Sequence, residues 1–519
     1  MLSYRFPLAL SLTAASVLIG LPARAAVTSD ESAGVEDELT PGVTAYNAAQ
    51  YEPAVAAFYK VVEGSADALN RQKAEYFLGQ SYLKMKLFQP ALGQFLSIFR
   101  QGTKHRYYFK AIEGLIDVAE ALGDEEAIPS QLDKSYGPSF EKLPEESLNR
   151  VNYLLGVLDY RRNKVQEAQD FLSSLPKTST YYARAHYLFG LTLVGKRPDD
   201  AIKIFKEIMA IAPSSNQYDL SNVQQLSRIA LARTYYGREE YQASVDEYTA
   251  VPRFSNYWDV ALFENGWAEF QNLDPGAAMG SLQALHAPQF EGAFAPESWL
   301  LKSTVYFFSC LYPEAKGAIS GFRRIYLPMN EKIKATLAED HDYEFYAQIV
   351  EPGNTVMPPA IVNYLLSNKL VVYYRNFIDE LAKEKVRVEA SQAWKTSGLG
   401  PELSQDIDSQ AQTEVKLEGR FIQKRLKEAS KTIEGFDSNA EIILFETLKQ
   451  EKDEIEKGID VPARLAEQKL YRSKVPDPSW DYWRFEGEFW IDEIGYYQYT
   501  LKNACFLRQE KTASAAEAR

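Results

Sequence analysis

The stretch Ala74-Glu75-Tyr76-Phe77-Leu78-Gly79-Gln80-Ser81-Tyr82, followed by Phe88, Pro90-Ala91-Leu92 and Phe95, decides how the chain is read. Leu-Gly-x-x-Tyr is followed by an aromatic residue, then by Ala nine residues after the Tyr and by Phe four further on. Leucine, alanine and aromatic residues at helical spacing are ordinarily core, so one match decides little and recurrence decides much.

The pattern recurs in both directions. Leu155-Gly156 with Ala168 and Leu172 makes a second unit, and Phe189-Gly190 with Ala201, Phe205 and Pro213 a third. Ala232, Tyr235, Tyr241 and Tyr248 give a fourth, with Ser244 where Ala is expected; Tyr306, Tyr312, Ala315 and Ile319 give a fifth, entered through Trp299. Tyr46, Tyr51, Ala54 and Phe58 form an N-terminal unit, and Phe263, Trp267, Ala278 and Leu282 a degenerate one. His105 to Ile128 is helical and repeat-sized, but Ala111-Ile112-Glu113-Gly114-Leu115 matches poorly.

These residues resemble the tetratricopeptide repeat (TPR), over roughly residues 41 to 328. The resemblance implies an all-α solenoid of helix pairs in a right-handed superhelix. Small residues, here Gly79, Gly156, Gly190, Ala91, Ala168, Ala201 and Ala315, let the paired helices approach, and Tyr82, Phe95 and Phe205 fill the space around them. It also implies a concave face, lined by the first helix of each pair, that holds segments of partner proteins. Carried over through Gly79, Gly156, Gly190 and Ala232, the groove positions are Tyr76, Gln80, Tyr153, Tyr160, Arg161, Arg184, Tyr187, Arg233 and Tyr236. Most are Tyr and Arg, the types enriched at interface hot spots. Tyr153 and Tyr187 are therefore expected to be partner contacts whose truncation to Ala leaves helical content and melting unchanged.

Composition narrows the function. The chain has 519 residues, 46% hydrophobic and 25% charged, with a formal net charge of −14. That is enough chain to bury a large core without staples, which excludes a disulfide miniprotein, collagen or wholesale disorder. The acidic balance argues against binding a nucleic-acid backbone. Met1 to Ala25 reads as a cleavable secretory leader: Arg5 in a short n-region, Leu8 to Leu21 as its apolar core, and Ala23-Arg24-Ala25 as the cleavage site. Its removal would take the net charge to −16 and leave no transmembrane segment, placing the protein in a Gram-negative periplasm, after a flexible linker over 26–40. A solenoid is expected over 41–345, a long-helix hairpin over 346–475, an aromatic segment over 476–508 and a disordered tail over 509–519.

Residues 360 to 396 run without Gly or Pro and predict one long helix. Val415, Ile422, Leu426, Ala429 and Ile433 then make a short coiled-coil-like a/d seam. Gly435 and Asp437 are expected to turn the chain into a third helix carrying Ile443, Leu444, Leu448 and Ile455, the whole forming an antiparallel hairpin packed on the array or projecting from it. In the aromatic segment, Trp480, Tyr482, Trp483, Phe485, Phe489, Trp490, Tyr496, Tyr497 and Tyr499 crowd together; Tyr496 to Leu501 has β propensity and Asp492 to Gly495 suits the turn of a small hairpin.

Little points to catalysis. His105, His186, His286 and His341 share no motif, and no phosphate-binding Gly loop or nucleophile motif is present. Asp340-His341-Asp342 is read as a solvated helix end rather than a metal site. The expectation is a non-enzymatic interaction scaffold for other envelope proteins, without cofactor or metal. The alternative is a glycan- or peptidoglycan-binding protein or enzyme using the aromatic segment, with Glu486 and Glu488 the carboxylates to test. Cys310 falls in the turn of its repeat and Cys505 ends the aromatic segment. They form either a bridge pinning that segment to the last repeat, as an exported protein permits, or two separate thiols.

Overall fold

The computed structural model describes residues 38–395, 398–456 and 485–501. The leader, most of the linker, Trp480, Tyr482, Trp483, Cys505 and the tail lie outside the described residues. Within them every regular element is helical.

Eight helix pairs follow one another. They are α1 (Thr40–Asn47) with α2 (Tyr51–Gly64), α3 (Ala68–Lys84) with α4 (Phe88–Arg100), α5 (Tyr108–Leu122) with α6 (Ala127–Ser135), and α7 (Glu145–Arg161) with α8 (Val165–Ser173). Then come α9 (Tyr182–Leu193) with α10 (Pro198–Met209), α11 (Leu220–Gly237) with α12 (Tyr241–Thr249), α13 (Trp258–Gln271) with α14 (Pro275–Leu285), and α15 (Pro296–Phe308) with α16 (Tyr312–Ala338). Each pairs internally and packs on the next.

Glycine on the first helix sets the spacing within a pair. A Cβ on Gly79 would lie 2.8 Å from the Phe95 ring, one on Gly156 2.7 Å from Leu172, and one on Gly190 2.7 Å from Phe205. Phe95 is wedged from its other side by Gly114, whose added Cβ would meet the ring at 2.6 Å. The weakly matching stretch around Gly114 is thus a full pair, sharing its neighbour's phenylalanine. Ala91, Ala168, Ala201 and Ala315 are completely buried on the second helices, and Tyr82 is buried beside them. Where Ser replaces the small residue its hydroxyl is satisfied across the contact: Ser244 Oγ donates to the Ala232 carbonyl at 2.9 Å and Ser303 Oγ to that of Ala315 at 3.0 Å.

One turn joins most pairs. Ala49, Lys86, Asn163, Glu239, Leu273 and Cys310 are all left-handed, with φ between 57° and 63°, and Gly123 takes that place after α5. The next amide reaches back into the first helix, as from Leu87 to the Tyr82 carbonyl (2.9 Å) and from Leu311 to that of Tyr306 (2.9 Å), the Schellman arrangement that satisfies end carbonyls. Cys310 therefore sits in the turn, as its position suggested, and it is disulfide-bonded. The sequence holds one other cysteine, Cys505.

Beyond the pairs, the long helix expected over 360 to 396 is broken into α18 (Pro359–Leu366), α19 (Lys369–Ala390) and α20 (Gln392–Lys395), after the short α17 (Tyr343–Gln348). Polar side chains make the breaks: Asn368 caps the Leu370 amide at 2.9 Å, and Ser391 accepts from the Trp394 amide at 3.2 Å while donating to Glu52. Conversely, the turn expected at Gly435 and Asp437 is absent. α21 runs unbroken from Leu399 to Glu456, 58 residues, or about 87 Å at 1.5 Å per residue. Arg323 of α16 holds Asp437 at 2.8 Å, and Lys334 holds Glu434 at 2.8 Å, on either side of the glycine.

These helices lie on the array. Lys385 pairs with Asp408 at 2.7 Å and Arg375 approaches Glu418 at 3.8 Å; ten residues back along α19 meets ten forward along α21, so the two are antiparallel. Buried Glu384 accepts from the Phe88 and Gln89 amides at 2.9 and 3.1 Å, capping α4. The Trp394 indole, fully buried, donates to the Glu52 carbonyl at 3.3 Å. The hydrophobic face of α19 to α21, with Phe377, Leu381, Trp394 and Ile407, joins the core of the first six pairs and α13. No helix among the described residues is long and apolar enough to cross a membrane.

Gly114→Ala should cost ~1–3 kcal/mol by overpacking Phe95, whereas Leu273→Gly, at a left-handed position 89% exposed, should gain ~1 kcal/mol; urea denaturation measures both. Burial pushes Glu384 up to about 8, although its amide partners oppose it, and Glu418 up to about 7 against the pull of Arg375. Folded values above the unfolded one mean that their stabilisation is whole below about pH 4.5 and lost as pH rises through 7 to 8. The melting temperature should fall from pH 5 to 8.5, and less steeply in Glu384→Gln; an unchanged slope in that variant would refute the assignment.

Candidate functional site

Between the array and the helices that cross it lies a cavity of about 990 Å³. One wall is the first helices of the fourth to seventh pairs, α7, α9, α11 and α13; the opposite wall is α18, the start of α19 and residues 425–436 of α21. Six of the nine groove positions expected from the sequence line it: Tyr153, Tyr160, Arg161, Arg184, Tyr187 and Arg233. Three do not. Tyr76 is buried and stacks on Tyr107 at 4.7 Å, Gln80 is half-buried on α3, and the half-buried Tyr236 ring sits edge-on to Tyr241.

The centre of the site is Glu125, in the α5–α6 turn. Asp124 fixes that turn by accepting from the Glu126, Ala127 and Ile128 amides at 2.7–2.9 Å. Three cations converge on the Glu125 carboxylate: Lys369 Nζ donates to both oxygens, and Arg184 and Arg161 approach at 3.5 Å each. Burial alone would raise its pKa, but Lys369, Arg184 and Arg161 outweigh burial and hold it ionised. Lys369 is pushed down to about 8 by its own burial, with Glu125 opposing. Arg184 is held between the Tyr153 and Tyr218 rings, 5.8 and 5.3 Å from their centroids. Farther along, Arg233 forms a two-pronged pair with Glu264 at 2.7 and 2.8 Å, and Tyr248 donates to the same carboxylate at 2.8 Å. On the opposite wall the Arg425 guanidinium lies 4.1 Å from the Tyr364 ring centroid.

The cavity's charge differs in sign from that of the chain. Five basic side chains, Arg161, Arg184, Arg233, Lys369 and Arg425, face four acidic ones, Glu125, Asp259, Glu264 and Glu297, and burial raises Asp259, and Glu297 to about 7. Burial likewise raises the Tyr153 and Tyr187 hydroxyls, which stay protonated and able to donate.

Both tyrosines are more enclosed than the sequence reading allowed, at 5% and 4% exposure, and Tyr153 also stacks on Tyr181 at 4.7 Å. Their truncation to Ala would open core volume worth ~3–5 kcal/mol each, so melting would not be unchanged. Glu125, Glu264, Lys369 and Arg425 were not among the expected positions. Glu125 lies in the poorly matching unit, and Lys369 is 244 residues away from it in sequence.

The histidines are structural in setting. His186 lies 4.0 Å from the Tyr182 ring and burial lowers its pKa; His286 stacks on Trp299 at 4.2 Å and is pushed by burial down to about 3. Asp342 caps the Phe345 amide at 2.8 Å, at the start of α17.

The aromatic segment docks on α13 to α15. A turn spans 491–495, with the Ile494 amide bonded to the Trp490 carbonyl, but no strand flanks it among the described residues, contrary to the expected β-hairpin. The chain lies directly on α14 instead: a Cβ on Gly280 would stand 2.1 Å from the Tyr497 carbonyl oxygen, and one on Gly276 2.7 Å from that of Tyr499. Ile494 is fully buried among Trp258, Leu262 and Leu285, and Arg253 donates to the Ile491 and Asp492 carbonyls at 2.9 and 3.0 Å. Glu486 is exposed and Glu488 partly so. Gly280→Ala should dislodge the segment, raising hydrogen exchange across 485–501 at least tenfold while α1 to α12 stay protected.

Comparison with known proteins finds no matching family model and no matching curated protein.

Proposed function

We propose that this protein is a non-catalytic interaction scaffold of the periplasm, built as a TPR-type array that receives a segment of a partner protein in the cavity between array and crossing helices. The observation that carries the reading is the assembly of six independently expected groove residues, from three first helices, on one cavity wall. Tyrosine and arginine there offer large contact area and fixed donors. The leader-like N-terminus supports export, and the Cys310 disulfide suits an oxidising compartment.

The competing reading, glycan binding through the aromatic segment, draws on Trp490 and Phe485, which are 58% and 43% exposed. Against it, Phe489, Ile494 and Tyr497 of the same segment pack into the array.

A photocrosslinking residue at position 160, inside the cavity, should capture a defined envelope protein in intact cells, while one at position 203 on the outer face of α10 should not. Tyr153→Phe with Tyr187→Phe, which keeps the packing and removes both hydroxyls, should cut that capture several-fold. Equal capture from both positions, or undiminished capture in the double variant, would reject the groove assignment.

A further inference from the structure

The geometry points to a carboxylate-binding site within the cavity, built jointly by the array and the crossing helices and suited to an acidic segment of a partner protein. The inference rests on the scaffold reading and names the chemistry of what enters.

Glu125 is the resident example of such a ligand. Its single carboxylate is shared by Lys369, Arg184 and Arg161, so the cluster carries more positive charge than its own acid neutralises. The two arginine contacts, at 3.5 Å, are long for charge-assisted hydrogen bonds and leave donors for a second anion. Across the cavity, Arg425 holds Glu428 at 3.0 Å through one nitrogen, while its Nε is buried with no hydrogen-bond partner among the described residues. Planar guanidinium groups match carboxylates in pairs of parallel bonds, and the tyrosine hydroxyls on the array wall add neutral donors.

The size and setting fit a peptide segment rather than a lone ion. About 990 Å³ is at the upper end of ligand-site volumes. Arg425 comes from α21 and Arg161 and Arg184 from the array, so a bound chain can be gripped from both sides. In a protein of net charge −14, acidic segments are repelled elsewhere on the surface, which makes a cluster of three cations around one acid selective.

The test uses the full chain and a fluorescent hexaglutamate blocked at both ends, with the hexaglutamine analogue and inorganic phosphate as competitors. Hexaglutamate should bind at least tenfold more tightly than hexaglutamine, and Lys369→Gln with Arg425→Gln should weaken it at least tenfold. Glu125→Gln, which frees three cations, should tighten it at least fivefold; this arm holds even where loss of cations impairs folding. Unchanged or weaker binding by folded Glu125→Gln, or no preference for glutamate, overturns the proposal. Displacement by phosphate at equal charge concentration overturns its assignment to carboxylates. Failure here with crosslinking from position 160 intact rejects the acidic chemistry alone; hexaglutamate binding without a crosslinked partner rejects the scaffold reading alone.

Discussion

The contact on which the rest of the architecture depends is the closure of the array by its own C-terminal helices, fastened where Phe377, Leu381 and Trp394 enter its core and where Glu384 caps α4. A stack of helix pairs is quasi-one-dimensional, each unit touching only its neighbours. Here residues hundreds apart in sequence are tied together, and the core of the first six pairs and α13 takes in Phe377, Leu381 and Trp394. Without that closure there is a curved surface; with it there is an enclosure with two walls. The charges of the cavity follow from the same event, since Lys369 and Arg425 arrive with the closing helices.

Much of the fold was legible because one local rule repeats. A small residue on each helix and a ring or leucine between them suffices to describe a pair, and Gly79, Gly156 and Gly190 mark it without ambiguity. The rule failed at Gly114, where the neighbouring letters differ although the glycine performs the same task against Phe95. It also said nothing about where helices stop beyond the array. Gly435 reads as a breaker because a helical glycine costs ~1 kcal/mol, a cost offset by the burial of Ile433 and Ala440 in one core with Phe322 and Ile333 of α16. The strand propensity of Tyr496 to Leu501 reflects how such residues fit a pleated surface; this segment found a glycine-lined helix face instead.

The site was legible by half. Its array wall comes from positions in register with the repeat, so Tyr153, Arg184 and Arg233 could be placed from sequence. Its charge balance could not, because Glu125 sits in a turn and Lys369 and Arg425 come from helices with no repeat register. Burial was also misjudged: the tyrosines that face the cavity are themselves packed, serving as wall and structure together.

The glycine pair on α14 has a consequence for where along the array a foreign backbone can lie. The stack does not end there: an eighth pair follows, and its second helix, α16, is covered by α21. Gly276 and Gly280 thin α14 until bare backbone fits against it partway along the stack. Two missing methyl groups thereby choose which of the eight pairs carries the segment, and alanine at both places would leave it no seat.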